Sequence, residues 1–250
     1  MENARHLVEP SIRRVLIIDP DAAARRELRR GCEQQAYQVS EAGDGQMALS
    51  RFQETPPNIV LLESTLPGGS GLDLCRELRR LDARVPIIVM SQQSEEIEVV
   101  VALEVGADDY VTKPIRVREL LARMAAHLRK AQSDGVGLGR GRMAFGDLQI
   151  DVNERRAQRR TGAGDGDDWQ EVDLTHTEFD LLAYLAANAG RVLSRERILN
   201  TIWGYDYPIE TRVIDVHVRN LRKKVEVDPS RPAHILAVPG IGYRFTNPTG

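Results

Sequence analysis

From residue 14 to residue 130 the chain alternates short, continuous runs of Val, Ile and Leu with amphipathic stretches of helical period, and this alternation leaves few folds open. The apolar runs fall at 15–18, around Val39, and at 59–62, 86–90 and 109–111. Between and after them, 22–34, 44–53, 72–81, 95–105 and 117–130 carry the spacing of helices. Apolar runs of four or five residues suit strands buried on both faces, so the pattern predicts an α/β, doubly wound, five-stranded parallel sheet with helices on both sides. In such sheets ligands bind outside the carboxyl ends of the strands. Asp19, Glu63, Ser91 and Lys113 all stand there.

The pattern stops at 131–142, a polar stretch with Gly135, Gly137, Gly139 and Gly141 that reads as a linker. A chain of 250 residues has room for about two domains, here expected at 12–130 and 143–247. The second opens with strand-like pieces around 144–150 and 171–174, separated by a Gly- and Asp-rich loop at 161–168. Three helices are expected next. The first starts with a capping box, Thr175 to Glu178, the second is capped by Ser194, and the third covers 210–227. A Gly-rich hairpin at 235–245 closes this α+β domain.

Hydrophobic content of 42% and charged content of 28% are those of a globular protein, and no apolar run approaches the roughly 20 residues that span a bilayer. Residues 1–10 carry no apolar core of a secretion signal, so a cytoplasmic location without membrane association is expected. Cys32 and Cys75 lack metal-ligand spacing and read as buried, reduced thiols. The net charge of -3 does not suggest nucleic acid, but 211–224 carries a local net charge of +4 on one expected helix.

Phosphoryl transfer to a carboxylate needs a nucleophile in line, a hard cation and fixed donors for the phosphate oxygens. The order of acidic residues, strand-end carboxylate, Ser91 and Lys113-Pro114, together with the run from Gly106 to Pro114 (GADDYVTKP), resembles the receiver domain of OmpR/PhoB-family response regulators over essentially the whole first half. The resemblance implies that Glu63 stands where the phosphoacceptor aspartate belongs. It places Asp19 as one metal-binding acid and Pro20 where the second should be, with Asp21 next to it. Ser91 and Tyr110 match the residues that rearrange on activation, and Lys113 the lysine that pairs with the phosphoryl group. Mg²⁺ requires near-octahedral oxygen coordination, so Pro20 predicts weak or absent Mg²⁺ binding, and no other cofactor is expected. Glu63 reaches about 1.5 Å further than aspartate and so reads either as a built-in activated state contacting Lys113 or Ser91, or as a relic paired to Lys113.

The resemblance also implies a dimer formed through the fourth helix, fifth strand and fifth helix. Asp108, Asp109, Glu119, Arg123 and Lys130 take matching positions, with Asp109 to Arg123 and Asp108 to Lys130 as expected cross-dimer bridges. Val99 replaces the basic partner of Glu119, within three consecutive valines that cannot share one helix face.

In the second half, Trp203-Gly204-Tyr205, residues 213–219 (VIDVHVR) and Gly240 to Phe245 (GIGYRF) resemble the winged helix-turn-helix domain of the same family. Ile214, Val218, Leu221 and Val225 recur at helical spacing and are expected in the core, leaving Arg212, Val216, Arg219, Asn220 and Lys223 outward. On a helix in the major groove Asn220 suits adenine, Val216 a thymine methyl, and Arg219 guanine or phosphate, with Asp215 placed to orient Arg219. Backbone contacts map to Trp203, Arg212, His217, Arg222 and Tyr243. Pro239 stands where an arginine often enters the minor groove, leaving Arg244 as its substitute.

The expectation is a non-enzymatic, sequence-specific transcription regulator that binds tandem half-sites on double-stranded DNA as a homodimer and contacts RNA polymerase through 203–210. It is expected to act without aspartyl phosphorylation, leaving any sensor kinase unassigned. The alternatives are a conventional phosphorylation-dependent regulator, a phosphotransfer relay, and a receiver that binds a ligand or partner.

Overall fold

The computed structural model describes residues 13–130, 138–139, 141–160, 168–204 and 212–248. The first domain runs β1 (Arg14–Ile18), α1 (Ala22–Gln34), β2 (Gln38–Ala42), α2 (Gly45–Glu54), β3 (Ile59–Glu63), a short hairpin β4 (Thr65–Leu66) and β5 (Gly69–Ser70), α3 (Gly71–Leu81), β6 (Ile87–Ser91), α4 (Glu96–Glu104), β7 (Asp109–Thr112) and α5 (Val117–Lys130). Its five-stranded sheet is parallel, in the order β2-β1-β3-β6-β7.

Alternation along each strand divides the core in two. Leu16, Ile18, Val60, Leu62, Ile87 and Val89 point to one face of the sheet, and Val15, Ile17, Ile59, Leu61, Ile88 and Met90 to the other, against Leu28, Cys32, Leu120, Met124 and Leu128. Both β3 and β6 are buried at all five positions, as their unbroken apolar sequences require. Asp21, Asp44 and Ser70 cap α1, α2 and α3 by accepting from Ala23 N, Met47 N and Leu72 N.

The second domain opens with an antiparallel sheet of β8 (Arg142–Phe145), β9 (Leu148–Asp151), β10 (Arg156–Arg160) and β11 (Trp169–Glu171), in sequential order. Strand β10 escapes sequence reading because RAQRR offers a single apolar side chain, Ala157; backbone pairing to neighbours on both sides holds it in place. Strand β11 ends where the sequence suggested a strand would begin. Helices α6 (His176–Ala187), α7 (Arg195–Ile202) and α8 (Arg212–Val225) then pack with a sheet of β12 (Val192–Ser194), β13 (Ile235–Val238) and β14 (Gly242–Phe245), in the order β12-β14-β13. The capping box forms: Thr175 Oγ1 accepts from Glu178 N, and Glu178 Oε2 accepts from Thr175 N at 2.9 Å. Ser194 caps α7 through Arg197 N.

The two domains are not separate bodies on a string. One apolar cluster runs from the five-stranded parallel sheet through α4 into α6, α7 and α8, and α4 packs on α8 while α5 packs on α6. This accounts for the sequence of α4, EIEVVVALE, which is apolar almost all round. A helix with apolar residues on opposite faces needs cover on both, and Val99 and Val100 are packed into the shared cluster while Ala102 and Leu103 are fully buried.

Gly71 fixes the end of β3. Its N–H donates to Ser64 O at 2.8 Å, and a Cβ there would fall 2.0 Å from Glu63 O. Backbone oxygen cannot swing aside as a side chain can. Gly71→Ala is therefore expected to cost about 2–4 kcal/mol, read as a lowered midpoint in chemical denaturation of the full chain.

Candidate functional site

Strands β1, β3 and β6 and the residue after β7 deliver Asp19, Glu63, Ser91 and Lys113 to one edge of the sheet. Lys113 Nζ donates to Asp19 Oδ2 at 2.8 Å and lies against Glu63 Oε2, so one ammonium is shared by two buried carboxylates. Burial disfavours the charged lysine, but the hydrogen bonds and charges of Asp19 and Glu63 outweigh it and hold its pKa above the ordinary value. The other oxygen of Glu63, Oε1, accepts from Thr65 N at 3.2 Å and from Ser64 Oγ at 3.1 Å. Ser64, which the sequence reading did not single out, also lies 2.8 Å from Ser91 Oγ and so joins Glu63 to Ser91. Tyr110 is buried, and its hydroxyl donates to Gln93 O at 2.7 Å.

The Mg²⁺ ion implied by the sequence resemblance needs near-octahedral oxygen coordination, and the side chains present here do not fit that ion. Asp21 is turned away to cap α1, with its Oδ1 2.8 Å from Ala23 N, and Pro20 has no side-chain oxygen. Asp19 Oδ1 accepts from Asp21 N at 2.8 Å and Oδ2 from Lys113. Among the described residues no group of three or more His, Cys, Asp or Glu is arranged to hold a metal.

The second half of the site is the helix expected to read DNA. Val216, His217 and Asn220 are buried, not outward-facing. Asn220 Nδ2 donates to Leu103 O at the end of α4 at 3.1 Å, and Arg219, the exposed basic residue beside it, pairs with Glu104 Oε1 at 2.5 Å. The expectation of a free reading face is corrected for this arrangement, because the apolar back of α4 takes the same face of α8. Asp215 does not orient Arg219. Its Oδ1 accepts from Arg195 Nε at 2.8 Å and from Tyr243 Oη at 2.7 Å, and burial together with Asp215 pushes the Tyr243 pKa up to about 12. Arg222 donates to Ile235 O at 3.0 and 2.6 Å and so serves its own domain, while Lys223 remains exposed and Arg244 is half-buried. The side chains of Arg212 and Lys130, and residues 205–210 of the expected polymerase contact, lie outside the described residues.

The expected dimer bridges are also formed differently. Arg123 Nη1 lies 3.2 Å from Asp109 Oδ1 in the same chain and its Nη2 donates to Glu119 Oε1 at 2.6 Å, giving Glu119 a partner on its own helix in place of the one lost to Val99. Asp108 is fully buried. Its Oδ2 pairs with Arg79 and accepts from Ile87 N at 2.9 Å, and its Oδ1 accepts from Thr177 N, in the first turn of α6, at 2.8 Å. Trp203, expected on DNA, is buried at the domain junction with Nε1 3.4 Å from Asp108 O. The α4–β7–α5 face and the second domain therefore cover one another, α4 against α8 and α5 against α6.

Residues 15–125 match the family Response regulator receiver domain, and 169–245 match Transcriptional regulatory protein, C terminal. The chain is 41% identical to the sensory transduction protein RegX3 of Mycolicibacterium smegmatis, over 92% of this chain and 98% of that protein. It is 37% identical to the DNA-binding response regulator MtrA of the same organism, over 94% and 97%. A solved structure of a RitR mutant aligns with 93% of this chain and 98% of its own at 28% identity, with a TM-score of 0.72.

Glu104→Arg would set two cations against each other across the α4–α8 contact while leaving the residues of α8 intact. Because this pair is partly solvated, the loss is about 1 kcal/mol, or roughly fivefold tighter apparent DNA binding, measured as a shift in an equilibrium titration with operator DNA.

Proposed function

The chain belongs to the OmpR/PhoB family of response regulators, DNA-binding transcription regulators rather than enzymes, and from that premise we propose that its receiver works without aspartyl phosphorylation and that its DNA-reading helix is released by opening of the domain contact. The receiver occupies 12–130, the linker 131–142 and the winged helix-turn-helix domain 143–247. The observation that carries this reading is the salt-bridged triad: Lys113 is already neutralised by Asp19 and Glu63, and the second oxygen of Glu63 is committed to Thr65 N and Ser64. A phosphoryl group entering this pocket would have to displace those contacts without the cation that normally screens its charge.

Freed from the receiver, α8 would enter the major groove with Asn220 and Val216 toward base edges and Lys223 toward phosphate. The uncovered α4–β7–α5 face would then be available for a homodimer on tandem half-sites, with 203–210 reaching RNA polymerase. Signal-independent dimerisation through Val99, Asp108, Asp109 and Arg123 does not suit the closed chain, where those residues are spent internally. The protein would act in the cytoplasm, where DNA and polymerase are, and needs no sensor kinase under this reading. No helix among the described residues is long and apolar enough to cross a membrane.

Incubation with acetyl phosphate and Mg²⁺ followed by intact-protein mass spectrometry is expected to leave the mass unchanged. Addition of one phosphoryl group at Glu63 in most molecules would overturn phosphorylation independence. Binding-site selection from a random library tests the reading face: Asn220→Ala should relax preference at one or two base pairs, a loss of about 1–3 kcal/mol of discrimination, and an unchanged motif of unchanged stringency would remove Asn220 from that face.

A further inference from the structure

Three imidazoles are buried where the domains meet, His127 on α5, His176 at the start of α6 and His217 on α8; no phosphoryl or DNA role accounts for His176, and His217, matched by resemblance to a DNA-backbone contact, lies here inside the interface. His127 and His176 meet edge to face across the domain boundary, their ring centroids 5.9 Å apart. His217 lies against Trp203 at 5.2 Å between centroids, and its Nε2 is buried with no hydrogen-bond partner.

The geometry around His176 favours a neutral ring. Arg155 Nη2 stands 3.4 Å from His176 Nδ1, and a guanidinium nitrogen has hydrogens but no lone pair to offer. The same Nη2 also donates to His176 O at 3.2 Å, and a neutral ring with its proton on Nε2 is the form that suits this cation beside Nδ1. Nε2 lies 3.5 Å from Asp180 Oδ2 but is not aligned for a hydrogen bond, and Asp180 is itself paired with Arg155 at 2.8 Å. A second proton on this ring would point at a cation. On His217 it would give a buried charge facing Asp108 and Asp109, carboxylates already engaged by Arg79 and Arg123.

We propose that His176 and His217 make the domain interface an acid-sensitive latch, in which protonation as the medium acidifies frees α8 and its DNA-reading face from the receiver.

Burial lowers both imidazole pKa values to about 4. For His176, Arg155 and His127 add to burial while Asp180 and Asp108 oppose it; for His217, His127 and Arg79 add while Asp108 and Asp109 oppose. Once the domains part, each ring meets water and regains an ordinary value of about 6.5. The closed form thus refuses protons that the open form accepts. Closed-state stability is intact above about pH 6.5 and is lost as pH falls toward 4, by up to about tenfold per ring per pH unit. Asp108, which Arg79 and the neighbouring histidines hold well below the usual carboxylate range despite its burial, stays ionised throughout this window and adds no titration of its own.

The latch rests on opening of the α4–α8 contact as the switch. Its test reads domain separation rather than DNA binding or phosphorylation, so the two ideas can fail separately. Small-angle X-ray scattering of the full chain at about pH 7.5 and 5.5, at equal ionic strength, should show the open-to-closed ratio rising at least tenfold on acidification and returning on neutralisation. A His176→Gln/His217→Gln double variant should remain closed at both. Wild-type scattering that does not change, or a double variant that opens with acid as wild type does, overturns the proposal. Should the double variant already be open near neutrality, the His176 and His217 imidazole resonances of the wild type decide: titration of both below about pH 5 in the closed chain supports the latch, and titration of either near 6.5 overturns it.

Discussion

The Asp108 carboxylate holds the two domains in one arrangement. A bare carboxylate with no solvent exposure is costly, and it persists only when its oxygens are fully satisfied. Here Arg79 and Ile87 N bind it from within the receiver, and Thr177 N binds it from the first turn of α6. The first turn of a helix leaves backbone N–H groups without partners and favours a negative charge nearby. Thr175 serves one of those groups from within the second domain and Asp108 serves another from the first. Parting the domains uncovers both the carboxylate and the helix end, so the contact is specific in register as well as apolar.

Around that anchor, α4 decides what the protein can do at any moment. Val99, Val100 and Leu103 pack into a cluster shared with α8, whose face carries Val216 and Asn220, while Val101 and Ile97 stay exposed. Under the proposed function, binding DNA and covering α4 would be alternatives for the same side chains. Such exclusion needs no deformation of either domain. It requires only that the receiver contact and the DNA contact use one surface, and that their stabilities be close enough for a modest change to tip the balance.

The acidic pocket sits at the far end of the same strands and is joined to α4 by a short series of contacts. Ser64 links Glu63 to Ser91, Ser91 Oγ accepts from Gln93 N at 3.1 Å, and Tyr110 donates to Gln93 O. Gln93 lies in the loop that leads into α4. In the triad of Asp19, Lys113 and Glu63 one ammonium is shared by two carboxylates, which leaves a net charge of −1 at this end of the sheet and fixes the Glu63 carboxylate against the lysine.

Much of this was legible in the residues themselves. Unbroken apolar runs such as IVLLE and IIVMS, short and set between helical stretches, suit strands buried on both faces, and the Thr175 to Glu178 box and Ser194 mark helix starts through local chemistry that needs no distant partner. The strand-end positions of Asp19, Glu63, Ser91 and Lys113 followed from the order of elements, because a parallel sheet delivers all its strand ends to one edge. Strand β10 was illegible, since its pairing lies in backbone hydrogen bonds that RAQRR does not advertise. The sequence also could not tell which partner each long side chain would choose. Asp215 takes Arg195 and Tyr243, Arg222 takes Ile235 O, and Asp21 turns to cap a helix. Helical period showed that the valines of α4 and the outward face of α8 each required cover or a ligand. That they cover one another was decided by tertiary structure alone, because two surfaces more than a hundred residues apart become neighbours only once both domains have folded and Asp108 has set their register.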